Sequence, residues 1–117
     1  MADVALVIIT SVLAVWFALL GTGKLLGLPA MAERAAHVGF SLGGYRIIGV
    51  LELASVIGLF AGWAVTGLGV AAAVGLLLLL TGAALAHLRA GDRLSALAPA
   101  IVSAALVVAY VIVLFQK

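Results

Sequence analysis

A chain of 117 residues that is 68% hydrophobic and 9% charged, with a net charge of +2, is not built for water. Soluble domains carry about a quarter charged residues, and one this small could not hide so much apolar side chain from solvent. Six basic against four acidic residues, with no basic run and no aromatic platform, exclude nucleic-acid recognition, and the absence of cysteine excludes thiolate catalysis and cysteine-held metal clusters in this chain.

The expected fold is therefore all-α, an integral membrane bundle of four transmembrane helices forming one domain over residues 1–117, with the lipid bilayer as its partner. The first span covers residues 4–23 and ends at Lys24. It opens on Asp3 instead of a basic stretch and has spanning length, so it reads as a helix and not as a cleaved signal. The connector over residues 25–44 holds Pro29, Glu33, Arg34, His37 and the Gly43–Gly44 pair. Pro29 suits the first turn of a short helix, and Gly39 suits its left-handed end. Met31, Ala35 and Val38 recur at helical spacing, which lays this helix along the membrane interface. Ser41 is a candidate cap for the next helix.

The second span covers residues 45–61, with Trp63 at the far interface. The uncharged turn over residues 62–66 then forces a tight antiparallel hairpin with the third span, residues 67–88. Arg89, Gly91, Asp92 and Arg93 form the next loop, and Pro99 opens a fourth span over residues 99–115. The first and third connectors hold Lys24, Arg34, Arg46, Arg89 and Arg93, against Lys117 alone on the other side. The positive-inside rule puts both long connectors in the cytoplasm and both termini opposite, in a cell (inner) membrane.

Two small-residue stripes, Ala54/Gly58/Gly62 and Gly67/Ala71/Gly75, suit close helix contact, either within the hairpin or in a homo-oligomer. Glu52 is the leading candidate for function, because an ionisable group inside a span is costly and needs a partner. Tyr45, Gly49 and Glu52 share a helical face, and the glycine lets a ligand or another helix approach. Antiparallel stacking is expected to gather Lys24, Arg46, Glu52, His87 and Arg89 into one layer. Two readings of Glu52 stand open: a proton-handling or ligand-orienting pair with His87, or an ion pair with Lys24 or an arginine that fixes helix order. His87 likewise reads as a site residue or as an interfacial one, and Arg89 and Arg93 as topology determinants.

Other motifs fall away. Gly23-Lys24 lacks the earlier glycine of a phosphate loop, Ala18 standing there. His37 and His87, on separate segments with one in a loop, form a poor metal or haem constellation, so no metal is expected. Ser55, His87 and Asp92 lack the context of a hydrolase nucleophile.

Three stretches carry a family likeness: Gly21-Thr22-Gly23-Lys24-Leu25, Gly49-Val50-Leu51-Glu52-Leu53, and Ala86-His87-Leu88-Arg89-Ala90-Gly91-Asp92. On these, and on its length and number of spans, the chain resembles the DoxX-like family of small four-helix membrane proteins. The resemblance implies a bacterial membrane accessory protein near quinone, linked to redox, sulfur or oxidative-stress chemistry; the absence of cysteine stands against a thiol-based form of that role.

Three functions follow as expectations. The first is an accessory or ligand-binding protein that requires no cofactor and takes an apolar, quinone-like molecule, with Tyr45, Arg46, Gly49, Glu52, His87 and Arg89 around it and a membrane redox partner beside it. The second is an enzyme of proton transfer (isomerisation, epoxide opening or cyclisation) with Glu52, His87 and Lys24 as catalytic groups. The third is an assembly subunit bound through its small-residue stripes.

Overall fold

The computed structural model describes residues 2–117. Among these are α1 (Ala2–Leu26), α2 (Pro29–His37), α3 (Leu42–Ala61), α4 (Thr66–Arg89), a 3₁₀ turn (Leu94–Leu97) and α5 (Ala98–Gln116). Four of the helices, α1, α3, α4 and α5, are long and apolar enough to cross a membrane. The bundle is 42 Å long, close to the thickness of a bilayer with its headgroups. α1 packs on α3 and α5, and α4 packs on the same two helices, so the four form a ring.

The short helix lies where the sequence puts it. Pro29 occupies its first turn, and Gly39, at φ 82°, follows its last residues in the left-handed conformation. Phe40 N–H then bonds the Ala35 carbonyl at 2.8 Å and Gly39 N–H bonds Ala36 at 3.1 Å, which satisfies two carbonyls that the helix end leaves open. Of its apolar stripe Ala35 is buried and Met31 and Val38 are half-buried.

Two boundaries differ from expectation by three residues, the others by less. α3 starts at Leu42 and not at Tyr45, because the Ser41 hydroxyl accepts a hydrogen bond from Gly44 N–H at 3.0 Å and takes the glycine pair into the first turn. α1 continues past Lys24 to Leu26, since lysine is a good helix former and a cation is favourable in a last turn.

The stripes also part from expectation in one respect. Gly58 and Gly62 of α3 meet α4, but they meet Ala72 and Gly69, while Gly67 has no neighbour within 4 Å and Ala54 and Ala71 are exposed. The hairpin turn sets Gly62 opposite Gly69, so Gly67 and Ala71 turn away from the contact, and of the expected α4 stripe Gly75 stays near α3, a Cβ there standing 4.0 Å from the Ser55 hydroxyl. A second close crossing joins Gly21 of α1 to Gly49 of α3: a Cβ on Gly49 would stand 2.6 Å from the Gly21 carbonyl oxygen.

Side chains at the hairpin end fill the ring. Leu13, Leu59, Leu76, Val107 and Leu114 are buried there, and Trp63 Nε1–H donates to the buried Thr10 hydroxyl at 3.1 Å. Leucine, valine and isoleucine side chains such as Ile57 (71% exposed) and Leu19 (68%) face outward, where a bilayer solvates them. The end that carries the two longer connectors is hollow.

Candidate functional site

The hollow is a cavity of about 700 Å³ between α1, α3, α4 and α5, with α2 across its mouth. That volume falls in the range of small-molecule pockets, about 300–1,000 Å³. Trp16, Phe17 and Leu20 of α1 and Ala83 and Ala86 of α4 make much of its wall apolar.

Glu52 and Lys24 are its buried charged groups. Lys24 Nζ lies 2.5 Å from Glu52 Oε1, and Glu52 is only 3% exposed. Because α1 continues through Lys24, the ammonium comes from a rigid helix. The helices run antiparallel at the Gly21–Gly49 crossing, so Lys24 sits against Gly49 and Glu52 against Gly21, and the lysine side chain reaches across the crossing to the carboxylate. The Tyr45 ring centroid lies 5.2 Å from the same ammonium, within the range of a cation–π contact, and Tyr45 also lines the cavity.

His87 lines the cavity too, but its polar partner is not Glu52. Its Nδ1 lies 2.6 Å from Asp92 Oδ2, and His37 Nε2 lies 2.8 Å and 3.0 Å from the two oxygens of the same carboxylate. An ionised carboxylate only accepts, so each ring nitrogen facing it carries the proton. These bonds, the one from His87 foremost and the one from His37 next, hold the Asp92 carboxyl below its usual range.

Backbone geometry builds the cluster. α4 ends as α2 does: Gly91 has φ 77°, its N–H bonds Leu88, and Asp92 N–H bonds the His87 carbonyl at 3.0 Å, returning the Asp92 side chain to the ring of His87. His37 is the last residue of α2 and not a loop residue, so it arrives on a fixed element. The two histidines that look unrelated in sequence thus meet on one aspartate. Two glycine helix ends, each within four residues of a histidine, are the signal in the sequence that marks their places.

Of the expected residues, Lys24, Tyr45, Glu52 and His87 converge on the cavity. Gly49 is buried against α1, so its role is helix contact. Arg46 and Arg89 are exposed and lie off the cavity wall; the Arg46 guanidinium rests against the turn at Gly27. Ser55 donates its hydroxyl to the Leu51 carbonyl at 2.8 Å, and His87 and Asp92 pair with each other and with His37, so these three residues do not form a hydrolytic triad. Sequence reasoning passed over the α1 wall, Trp16 above all, and the buried Ser103 of α5, whose hydroxyl donates to the Pro99 carbonyl at 2.7 Å.

No curated protein and no solved structure matches the chain. A family model does match, that of the DoxX-like family, over residues 8–110. Those residues include all four apolar helices in whole or large part and every polar side chain of the cavity, and the chain, a multi-pass membrane protein, belongs to the DoxX-like family.

Proposed function

We propose that the protein is a membrane ligand-binding accessory subunit that holds a lipid-soluble, carbonyl-bearing molecule of the quinone class in its cavity. The observation that carries this reading is the Lys24–Glu52 pair, buried at the wall of a cavity of ligand size. A lone ion pair that only fixed helix order would need no void beside it. An ammonium has three donors, and the 2.5 Å contact to Glu52 uses one, leaving others for a ligand oxygen. Tyr45, Trp16 and Phe17 supply flat apolar surface for a ring. A groove between α1 and α5 shares Trp16, Pro99 and Ser103 with the cavity wall, which suits entry from lipid.

The test is extraction and stabilisation. Protein purified in mild detergent is extracted for bound quinone, then titrated with a short-chain benzoquinone or naphthoquinone while its unfolding temperature is followed. A ligand at 100 times its Kd stabilises by about 2.7 kcal/mol, so binding is readily seen. Stabilisation should vanish in Lys24→Met. An empty extract together with an unmoved unfolding temperature sinks the reading.

The enzyme reading keeps one support of its own: a carboxylate and an ammonium in direct contact can exchange a proton with a substrate at the cavity wall. Turnover of a lipid-soluble epoxide or enone that Glu52→Gln abolishes would select it. The assembly reading is weakened, because α4 already engages Gly58 and Gly62.

A further inference from the structure

We propose that His37, His87 and Asp92 form a binding site for a divalent transition-metal ion of the zinc type at the mouth of the cavity. Two imidazole nitrogens and a carboxylate are a donor set such ions take, and carboxylate oxygens alone would point to magnesium or calcium instead. The three donors come from different places, α2, the end of α4 and the connector beyond it, yet their ligating atoms all lie within 4.8 Å of one another. The nitrogen–oxygen separations of 2.6, 2.8 and 3.0 Å are already near those around one ion. With metal–ligand bonds of about 2.0–2.2 Å, tetrahedral neighbours stand roughly 3.3–3.5 Å apart. An ion therefore enters by moving the rings outward by less than about 1 Å from the carboxylate and drawing the two nitrogens together.

The chemistry balances without an external acid or base. Each neutral imidazole shifts its proton to its other ring nitrogen, by exchange with water, and turns a lone pair to the ion. Asp92 binds as the carboxylate. Three protein ligands leave a fourth position for water or a ligand atom, as in open zinc sites. His37 and His87 both line the cavity, so that position adjoins whatever occupies it. The ion would also fasten α2, the cover of the cavity, to the α4–α5 connector. None of this depends on quinone binding or on the Lys24–Glu52 pair.

The experiment uses the full chain without a histidine tag, in detergent micelles, stripped with EDTA and dialysed. Co²⁺ alone is titrated and its visible d–d absorption followed; Zn²⁺ alone is then titrated calorimetrically. The expected result is one ion per chain, with affinity at least tenfold weaker in Asp92→Asn and in His37→Ala, and unchanged in Glu33→Gln. His37 is exposed at the end of α2, so His37→Ala tests the site without opening the bundle. Metal-free unfolding temperatures verify that the variants fold, and His37→Gln replaces His37→Ala if it does not. Absence of saturable binding in the natural chain overturns the proposal, and so does binding that survives both Asp92→Asn and the His37 substitution. Loss of binding in Glu33→Gln would place the ion elsewhere on the cavity wall and overturn it equally.

Discussion

Tyr110 of α5 donates its hydroxyl to the backbone carbonyl of Leu59 in α3 at 2.6 Å, across the middle of the ring of helices. The last turn of α3 shows why that carbonyl is open. Gly62 N–H bonds Gly58, Trp63 N–H bonds Phe60 and Val65 N–H bonds Ala61, so these three carbonyls are satisfied at the helix end and Leu59 takes its donor from Tyr110. Gly62 and Gly69 leave room for the hydroxyl, since a Cβ on either would collide with it. Tyr110→Phe removes the donor and leaves a buried carbonyl without one. The expected loss is about 1–2 kcal/mol in reversible denaturation, detergent to SDS, with the cavity end unaffected.

The crossing of α1 and α3 yields a sharper contrast. In Gly49→Ala the new carbon would stand 2.6 Å from the Gly21 carbonyl oxygen and 2.9 Å from the Leu25 nitrogen, both backbone atoms that cannot rotate away. The helices must separate, at about 1–3 kcal/mol. Gly67→Ala has no atom within 4 Å of its new carbon and should be neutral or slightly stabilising, because alanine is the better helix former. Equal effects of the two substitutions on the unfolding temperature would refute this account of the crossing.

Much of this arrangement is legible in the residues. Hydropathy alone separates four spans, and Pro29, Gly39 and Ser41 mark the ends of elements through local backbone chemistry that needs no tertiary information. The depth of Glu52 announces a partner, and Lys24 is among the candidates. What local rules leave open is rotation about each helix axis. Glycines are frequent throughout the chain, so a stripe at Gly67 looks as good as one at Gly69 until the hairpin turn sets the register. The His37–Asp92–His87 cluster depends on two connectors folding over the same end of the bundle, which no spacing in the chain encodes. Arg46 and Arg89 belong to the right end but to its outer surface, where arginine prefers headgroups and water.

Orientation across the membrane can be read directly because the chain has no cysteine. The connector end carries Lys24, Arg34, Arg46, Arg89 and Arg93, which predicts that it faces the cytoplasm. Ser95 is exposed in the 3₁₀ turn at that end, and Lys117 is exposed at the other. A membrane-impermeant maleimide should label Lys117→Cys in intact cells and Ser95→Cys only after permeabilisation. The reverse pattern would invert the topology.

Asp92 predicts a pH dependence whose sign is set by its bonds. Its carboxyl is held below the ordinary value of 3.8 by His87 and then His37, so the folded state binds that proton more weakly than the unfolded one. The resulting stabilisation is fully present above about pH 4 and is lost as pH falls below that value toward the lowered folded pKa. In metal-free protein kept in EDTA, the difference in unfolding temperature between the natural chain and Asp92→Asn should therefore shrink as pH falls below about 4. A difference that grows below about pH 4 contradicts the assignment.

The Lys24–Glu52 pair separates structure from function most cleanly. Removing one partner leaves a charge or a polar group in an apolar wall, and breaking buried pairs in this way costs about 3–5 kcal/mol. Lys24→Met and Glu52→Leu should each destabilise strongly, whereas the double variant, with neither charge left to solvate, should recover most of the loss. Each effect is read from denaturation, and the coupling is the failure of the two single losses to add. A pair that only fixes helix order would then leave the double variant competent in every assay. A pair that orients a ligand would leave it stable and unable to bind, with no quinone co-extracted and no shift on quinone addition. Full stability recovered together with full binding would show that the cavity takes its ligand without the ion pair, and the apolar wall of α1 and α4 would then have to supply the recognition.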